Sequence, residues 1–189
     1  MGSEVLSSIT DWHDRSTCVL FGDGAGAAVL TATNKPGFLS VYLGSDGSQA
    51  DLLMVPGGGS RFPLSKEVLA KRQQYIQMKG NELFRVAVRL MIQAAEVALK
   101  KAKLQIKDVG MLIPHQANKR IIDAVAKRLD IPFERIFLNV SRYGNMSSAS
   151  TAVALCEAWE QRCFKTGDIV LLDAFGGGLV WGSCVIKWI

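Results

Sequence analysis

The pattern of this chain predicts an α/β fold built on a mixed, mostly parallel sheet with helices on both faces. Two observations carry that expectation. From Asn81 onward, helical periods alternate with short apolar runs, the order that sets parallel strands side by side with helices across them. Near the C-terminal end, two apolar runs flank Gly176-Gly-Gly178, which reads as a hairpin and adds an antiparallel member. With 49% of its 189 residues hydrophobic and only 21% charged, the chain can bury a sizeable core and is not a disordered one.

In chain order, Asp11-Trp-His-Asp-Arg15 reads as a polar loop. Two apolar strands follow, Thr17–Phe21 and Ala27–Thr31, around Gly22-Asp-Gly-Ala-Gly26. The glycines fit a hairpin or bulge better than a dinucleotide cradle, because alanine stands where a third spaced glycine belongs and no helix follows. Phe38–Leu43 reads as a strand and Gln74–Met78 as another, with a loop at Gly57-Gly-Gly-Ser60 between Pro56 and Pro63. A long helix starts at Asn81, its expected N-cap, and runs about 22 residues or roughly 33 Å. Its polar residues Glu82, Arg85, Arg89, Gln93, Glu96, Lys100 and Lys103 recur every three or four positions as one narrow stripe, so the helix is largely buried.

Val109–Ile113 is an apolar strand leading to His115, and a helix over Asn118–Leu129 follows, stopped by Asp130-Ile-Pro132. Ile136–Val140 reads as a short strand ahead of a turn at Asn145. Ser147 or Ser148 is expected to cap a helix to Arg162 that turns Ala149, Ala152, Val153, Cys156 and Trp159 inward. Ile169–Phe175 and Leu179–Trp188 close the sheet. The chain has no short-period repeat.

Charge and composition narrow the function classes. Net charge is +5, a basic surface suited to an acidic macromolecular partner. No nucleic-acid motif accompanies it. Cys18, Cys156, Cys163 and Cys184 form no C-x-x-C pair, which fits a reducing compartment and buried thiols better than a disulfide framework. His13 and His115 are the only histidines, too few for a metal site, and no cofactor is expected. The start, Met1-Gly-Ser-Glu-Val-Leu6, lacks the basic and apolar blocks of a signal peptide, and Asp173 with the three glycines interrupts the last apolar run. A cytoplasmic protein without a membrane span is therefore expected.

Two stretches carry chemistry. Pro114-His-Gln-Ala-Asn118 puts an imidazole at the end of a buried strand, just before a helix whose dipole disfavours its protonation. Tyr143-Gly-Asn145 puts a carboxamide in a glycine-led turn, again before a helix. Taken singly, such a histidine is ordinarily a packing residue and such an asparagine a turn residue or cap. Together they supply two uncharged N–H donors, which can hold an oxygen on which negative charge develops.

Asp14-Arg-Ser-Thr-Cys-Val-Leu-Phe-Gly-Asp-Gly-Ala-Gly-Ala27, Pro114–Asn118, Tyr143–Asn145 and Ala174-Phe-Gly-Gly-Gly-Leu-Val-Trp-Gly182 stand in the order found in β-ketoacyl-acyl-carrier-protein synthase III, and the chain resembles the C-terminal portion of that family. The resemblance implies a thiolase-like fold, an α-β-α-β-α layered structure of two similar halves. It divides this chain into residues 1–37, the closing strands of the first half, and 38–189, the second half. It implies decarboxylative Claisen condensation of an acyl-CoA with malonyl-acyl carrier protein, the step that starts fatty acid biosynthesis. By the same resemblance His115 and Asn145 match the catalytic pair, and Gly177 an oxyanion-hole glycine. Arg15 matches an arginine packed on the coenzyme A adenine, and Gly80, Asn81, Phe84, Ala117, Asn118 and Ile121 match the pantetheine tunnel. Arg85, Arg120, Lys127 and Arg128 match basic positions that dock acyl carrier protein. The family is homodimeric.

Departures from the family pattern sit beside these positions: Ser16 replaces a usual Gly, and Met146 and Ser148 stand where Thr and Ala are usual. None of the four cysteines matches the family's nucleophile, so the thiolate is expected from a missing N-terminal half or a companion chain. The isolated chain is expected to be inactive. Two rivals remain open: an acyltransferase of polyketide type on the same fold, and a non-catalytic carrier-binding subunit or truncated product.

Overall fold

The computed structural model describes all 189 residues, Met1–Ile189. Its centre is a four-stranded sheet made of β3 (Phe38–Ser45), β6 (Val109–Pro114), β7 (Ile169–Gly176) and β8 (Val180–Lys187), in the order β3-β8-β7-β6. The class is the expected α/β with a mixed sheet, but the parallel share is smaller than expected. Only β6 and β7 pair in parallel, while β7–β8 and β8–β3 are antiparallel. The difference arises because Ile136–Val140 does not join as a strand. Ile136 makes a single bridge to Leu112, and Val140–Tyr143 turns into a short helix, α4.

The long helix α2 (Gly80–Lys101) matches the expected length of 22 residues. Its N-cap is Lys79 and not Asn81, and no side chain caps it. Glu82 in the first turn and Lys100 and Lys101 in the last complement the helix dipole. The buried face, Leu83, Ala87, Leu90, Met91, Ala94, Ala95 and Ala98, is rich in alanine, so the helix lies close on β3, β7 and β8. α3 (Lys119–Leu129) begins as expected: the Asn118 carboxamide oxygen accepts the Arg120 N–H at 2.9 Å. Ile122 and Val125 of α3 join α2 and the sheet in the main core.

α5 (Ala149–Glu160) covers the other face with Ala149, Ser150, Ala154 and Ala158 buried. The inward face predicted from the sequence was rotated: Cys156 and Trp159 are exposed. Cys163 is exposed too, so the expectation of buried thiols is corrected for these two cysteines. Trp159 instead spreads over Phe164 and Trp188, with ring centroids 5.6 and 5.2 Å away. Ser148 is the N-cap by position, yet its hydroxyl donates to Glu4 Oε1 at 2.6 Å and caps nothing.

The N-terminal segment departs most from expectation. Residues 17–20 form turns and Ala27–Thr31 forms no strand. Thr17–Phe21 meets another segment only at Phe21, which makes a single parallel bridge to Asn145, and Ala27–Thr31 joins no ladder. Val19, Val29 and Leu30 are left exposed. What forms is β1 (Gly2–Val5) paired antiparallel with β2 (Asp23–Gly26), both packed on α5. The three spaced glycines serve close approach instead of a hairpin. A Cβ on Gly22 would lie 2.0 Å from the Tyr143 carbonyl oxygen, on Gly24 2.4 Å from Met146 Sδ, and on Gly26 2.6 Å from Ala152 Cβ. A second small ribbon pairs β4 (Leu53–Met54) with β5 (Gln77–Met78), shorter than the strand expected at 74–78, and α1 (Lys66–Ala70) lies between them in the chain. No helix is long and apolar enough to cross a membrane.

Candidate active site

His115 leaves the C-terminal end of β6 and is pinned at both sides of its backbone. Its N–H donates to the Asp173 carbonyl at 2.7 Å and its carbonyl accepts from Ala117 at 2.9 Å. Its imidazole is buried, and burial pushes its pKa down to about 4 from an ordinary 6.5. The imidazole is therefore neutral at physiological pH. The cause is loss of water on burial.

Asn145 is held by the segment before β2. Its N–H donates to the Leu20 carbonyl at 2.8 Å, and its carbonyl accepts from Gly22 at 2.9 Å. Gly144 makes the turn with φ of 71°, where a Cβ would sit 3.0 Å from the Leu20 oxygen, so glycine is needed for conformation and for space. The Asn145 Oδ1 accepts the Ser147 N–H at 2.8 Å. A backbone N–H can only donate, so the oxygen end of the carboxamide is identified and Nδ2 is left as the free donor.

Next to His115 in its motif stands Gln116, fully buried. Its Nε2 donates to the carbonyls of Pro114 (2.9 Å) and Phe137 (3.1 Å), and its Oε1 accepts from the N–H groups of Asn139 (2.9 Å) and Val140 (3.1 Å). All four bonding capacities of the amide are used. The side chain ties the end of the His115 strand to the start of α4, which runs directly into the Asn145 turn.

His115 and Asn145 line one cavity of about 1210 Å³, and Gly177 lines it too. The positions assigned to the pantetheine tunnel, Gly80, Asn81, Phe84, Ala117, Asn118 and Ile121, all line the same cavity. Arg120 does so as well, its guanidinium 5.6 Å from the Phe84 ring centroid, so it is a cavity residue as much as a surface one. Arg85, Lys127 and Arg128 are exposed away from it, and Arg15 is exposed in its loop and lines no part of the cavity.

Several lining residues gave no signal in the sequence. Asp173 is fully buried, its carboxyl held well above the usual range by burial; Ser183 donates to its Oδ1, and Oδ2 has no partner. Cys184 is the one cysteine that lines the cavity. Burial pushes its thiol up to about 11, opposite to what an attacking thiolate needs. Ser150 touches the His115 ring from α5. Gln116 was visible only as a member of the Pro114–Asn118 motif. No cluster of metal-ligating side chains is present.

The sequence matches the family model described as 3-oxoacyl-[acyl-carrier-protein (ACP)] synthase III over residues 1–47, and the model for the C-terminal part of that synthase over residues 99–188. The beta-ketoacyl-[acyl-carrier-protein] synthase III of Desulfitobacterium hafniense is 53% identical over 189 residues, which cover 100% of this chain and 57% of that protein. The protein of the same name from Roseiflexus castenholzii is 51% identical over 186 residues, 98% of this chain and 56% of its own length. The crystal structure of 3-oxoacyl-[acyl-carrier-protein] synthase III from Aquifex aeolicus superposes with a TM-score of 0.89 at 44% identity, over 99% of this chain and 56% of that one. The priming β-ketosynthase of the R1128 polyketide pathway superposes at 0.86 with 33% identity, over 98% of this chain and 55% of that one. The chain thus spans a little over half the length of the relatives it matches.

Proposed function

The chain belongs to the 3-oxoacyl-[acyl-carrier-protein] synthase III family, with the thiolase-like fold of that family, and from that membership we propose that it supplies the decarboxylation half of a condensing site. In this reading malonyl carried on acyl carrier protein enters the cavity and loses carbon dioxide. The electrons of the broken C–C bond move onto the thioester oxygen, and His115 and the Asn145 Nδ2 each donate a hydrogen bond to that oxygen. The enolate carbon then attacks the acyl group that acyl-CoA has passed to a cysteine thiolate outside these residues. The new C–C bond forms as the thioester C–S bond breaks and the thiolate leaves, while the Gly177 amide serves acyl transfer. Neither donor carries charge, so both stabilise the enolate oxygen without tightly trapping the malonyl carboxylate.

The observation that carries the reading is the convergence of His115, Asn145, Gly177 and the tunnel positions on one cavity. The acylated thiolate comes from outside these 189 residues, since the sole cysteine in the cavity is Cys184, whose thiol is held up and not down. The same reading divides the chain into 1–37 and 38–189, places coenzyme A with Arg15 at its adenine, and has acyl carrier protein meet Arg85, Arg120, Lys127 and Arg128. It assembles the completed protein as a homodimer.

The test uses an enzyme completed with the N-terminal portion of the Desulfitobacterium relative. His115→Ala and Asn145→Ala should each lower malonyl decarboxylation by about a hundredfold or more, and leave thiol acylation by acyl-CoA within a few fold. Equal loss of both steps would sink the assignment. The likeness to a polyketide priming synthase favours one further comparison, acetyl-CoA against longer acyl-CoA starters.

A further inference from the structure

Ser150 belongs to no motif, yet its hydroxyl is set against the Nδ1 side of the His115 ring. Ser150 lies in the first turn of α5 and is fully buried. Its Oγ is 2.5 Å from His115 Nδ1 and also receives the Gln116 backbone N–H at 3.3 Å. His115 Nε2 makes no hydrogen bond within the chain, while the residue lines the cavity.

We propose that Ser150 is a positioning residue that selects the tautomer of His115, holding Nδ1 as an acceptor so that Nε2 carries the proton and presents it to the cavity. A serine hydroxyl has one hydrogen and two lone pairs. One lone pair is taken by the Gln116 N–H, and the acceptor placed in reach of the hydrogen is Nδ1. If Nδ1 held the proton and donated to Oγ, the buried hydroxyl hydrogen would lose its partner, which burial penalises. A neutral imidazole has one N–H, so a donor at Nδ1 fixes it at Nε2. Without that choice the ring could present a lone pair to the thioester oxygen and repel it. α5 thereby acts on the site at both ends of its approach, since Asn145 precedes its first turn and Ser150 lies within it. The catalytic consequence rests on the oxyanion reading given above; the tautomer itself does not.

The experiment records the imidazole nitrogens of the uniformly ¹⁵N-labelled 189-residue chain at neutral pH by two-bond ¹H–¹⁵N correlation. The chain has only His13 and His115, and a His13→Asn variant assigns the two sets. His115 should appear as the Nε2-protonated tautomer. Ser150→Ala should raise the Nδ1-protonated form to a population comparable with the other, and Ser150→Cys, which keeps a weaker donor, should fall between. An Nδ1-protonated wild type overturns the proposal, as does an unchanged tautomer in Ser150→Ala. Should that variant lose the wild-type amide spectrum, Ser150→Cys decides alone, and an unshifted ring in it is equally fatal. In the completed enzyme, decarboxylation by Ser150→Ala should fall in proportion to the lost Nε2–H population while thiol acylation stands. A shifted tautomer with unchanged decarboxylation would leave Ser150 in its role and remove His115 as an oxyanion donor.

Discussion

Replacing Gln116 with leucine tests whether one amide joins the two arms of the site. The substitution keeps volume and burial but deletes four hydrogen bonds, to Pro114, Phe137, Asn139 and Val140. The Asn139 and Val140 N–H groups stand at the start of α4, where no earlier helical turn can accept them. Two buried donors left unpaired cost about 1–3 kcal/mol each, and the two carbonyls add less because each has a second lone pair. Leucine recovers about 1–2 kcal/mol through its apolar surface. The net loss is about 2–5 kcal/mol, a large share of the roughly 5–15 kcal/mol that holds a domain together. With a urea slope of about 2 kcal/mol per molar, the midpoint of unfolding should fall by about 1–2.5 M. Hydrogen exchange should report the same lesion locally, fastest at Asn139, Val140 and the Asn145 turn. A midpoint within about 0.2 M of wild type, against an expected slope of that size, would mean that the amide is not a strut and that Asn145 is placed by residues 20–22 alone.

The buried imidazole sets a pH dependence with a definite sign. His115 is neutral when folded, with its pKa lowered from 6.5 to about 4, so its contribution is complete above 6.5 and is lost as pH falls toward 4, because the unfolded chain binds the proton first. At about 1.4 kcal/mol per pH unit this amounts to about 3 kcal/mol. Urea midpoints across that window should fall more steeply for wild type than for His115→Gln, and parallel curves would contradict the burial. Buried Asp173 works in the opposite sense, its contribution being present at low pH and lost as pH rises through its raised pKa, which is why the variant comparison is needed. Cys184→Ala in the completed enzyme should keep full condensation activity, and loss of acyl-enzyme formation on a labelling gel would show that the thiol does attack. For carrier docking, Lys127→Glu with Arg128→Glu is a cleaner reversal than one at Arg120, which also lines the cavity. Carrier binding should weaken at low salt and much less at high salt, while turnover with a malonyl-CoA substrate stays nearly constant; equal damage to both substrates would refute docking.

Local pattern alone determined the parts of this protein that depend on residues close in the chain. The period of apolar residues located α2 to within two residues at each end, and the apolar run ending at His115 followed by Asn118 marked both β6 and the cap of α3. The motif residues lay at the ends of these elements, so the imidazole and the carboxamide were legible as candidates before any contact was known. Tertiary structure decided what depends on distant partners. Thr17–Phe21 and Ala27–Thr31 have strand composition but form no ladder beyond the single Phe21–Asn145 bridge. In Ile136–Val140 the Phe137 N–H reaches Leu112 of β6, while those of Asn139 and Val140 go to Gln116. The glycines at 22, 24 and 26 look like turn residues in one dimension and prove to be clearances for Tyr143, Met146 and Ala152 in three. Ser150 carries no motif, because its importance is a 2.5 Å approach across 35 residues of chain. A sequence states which groups can donate or accept; only the packed chain states which of them meet, and burial then sets the protonation that makes the meeting useful.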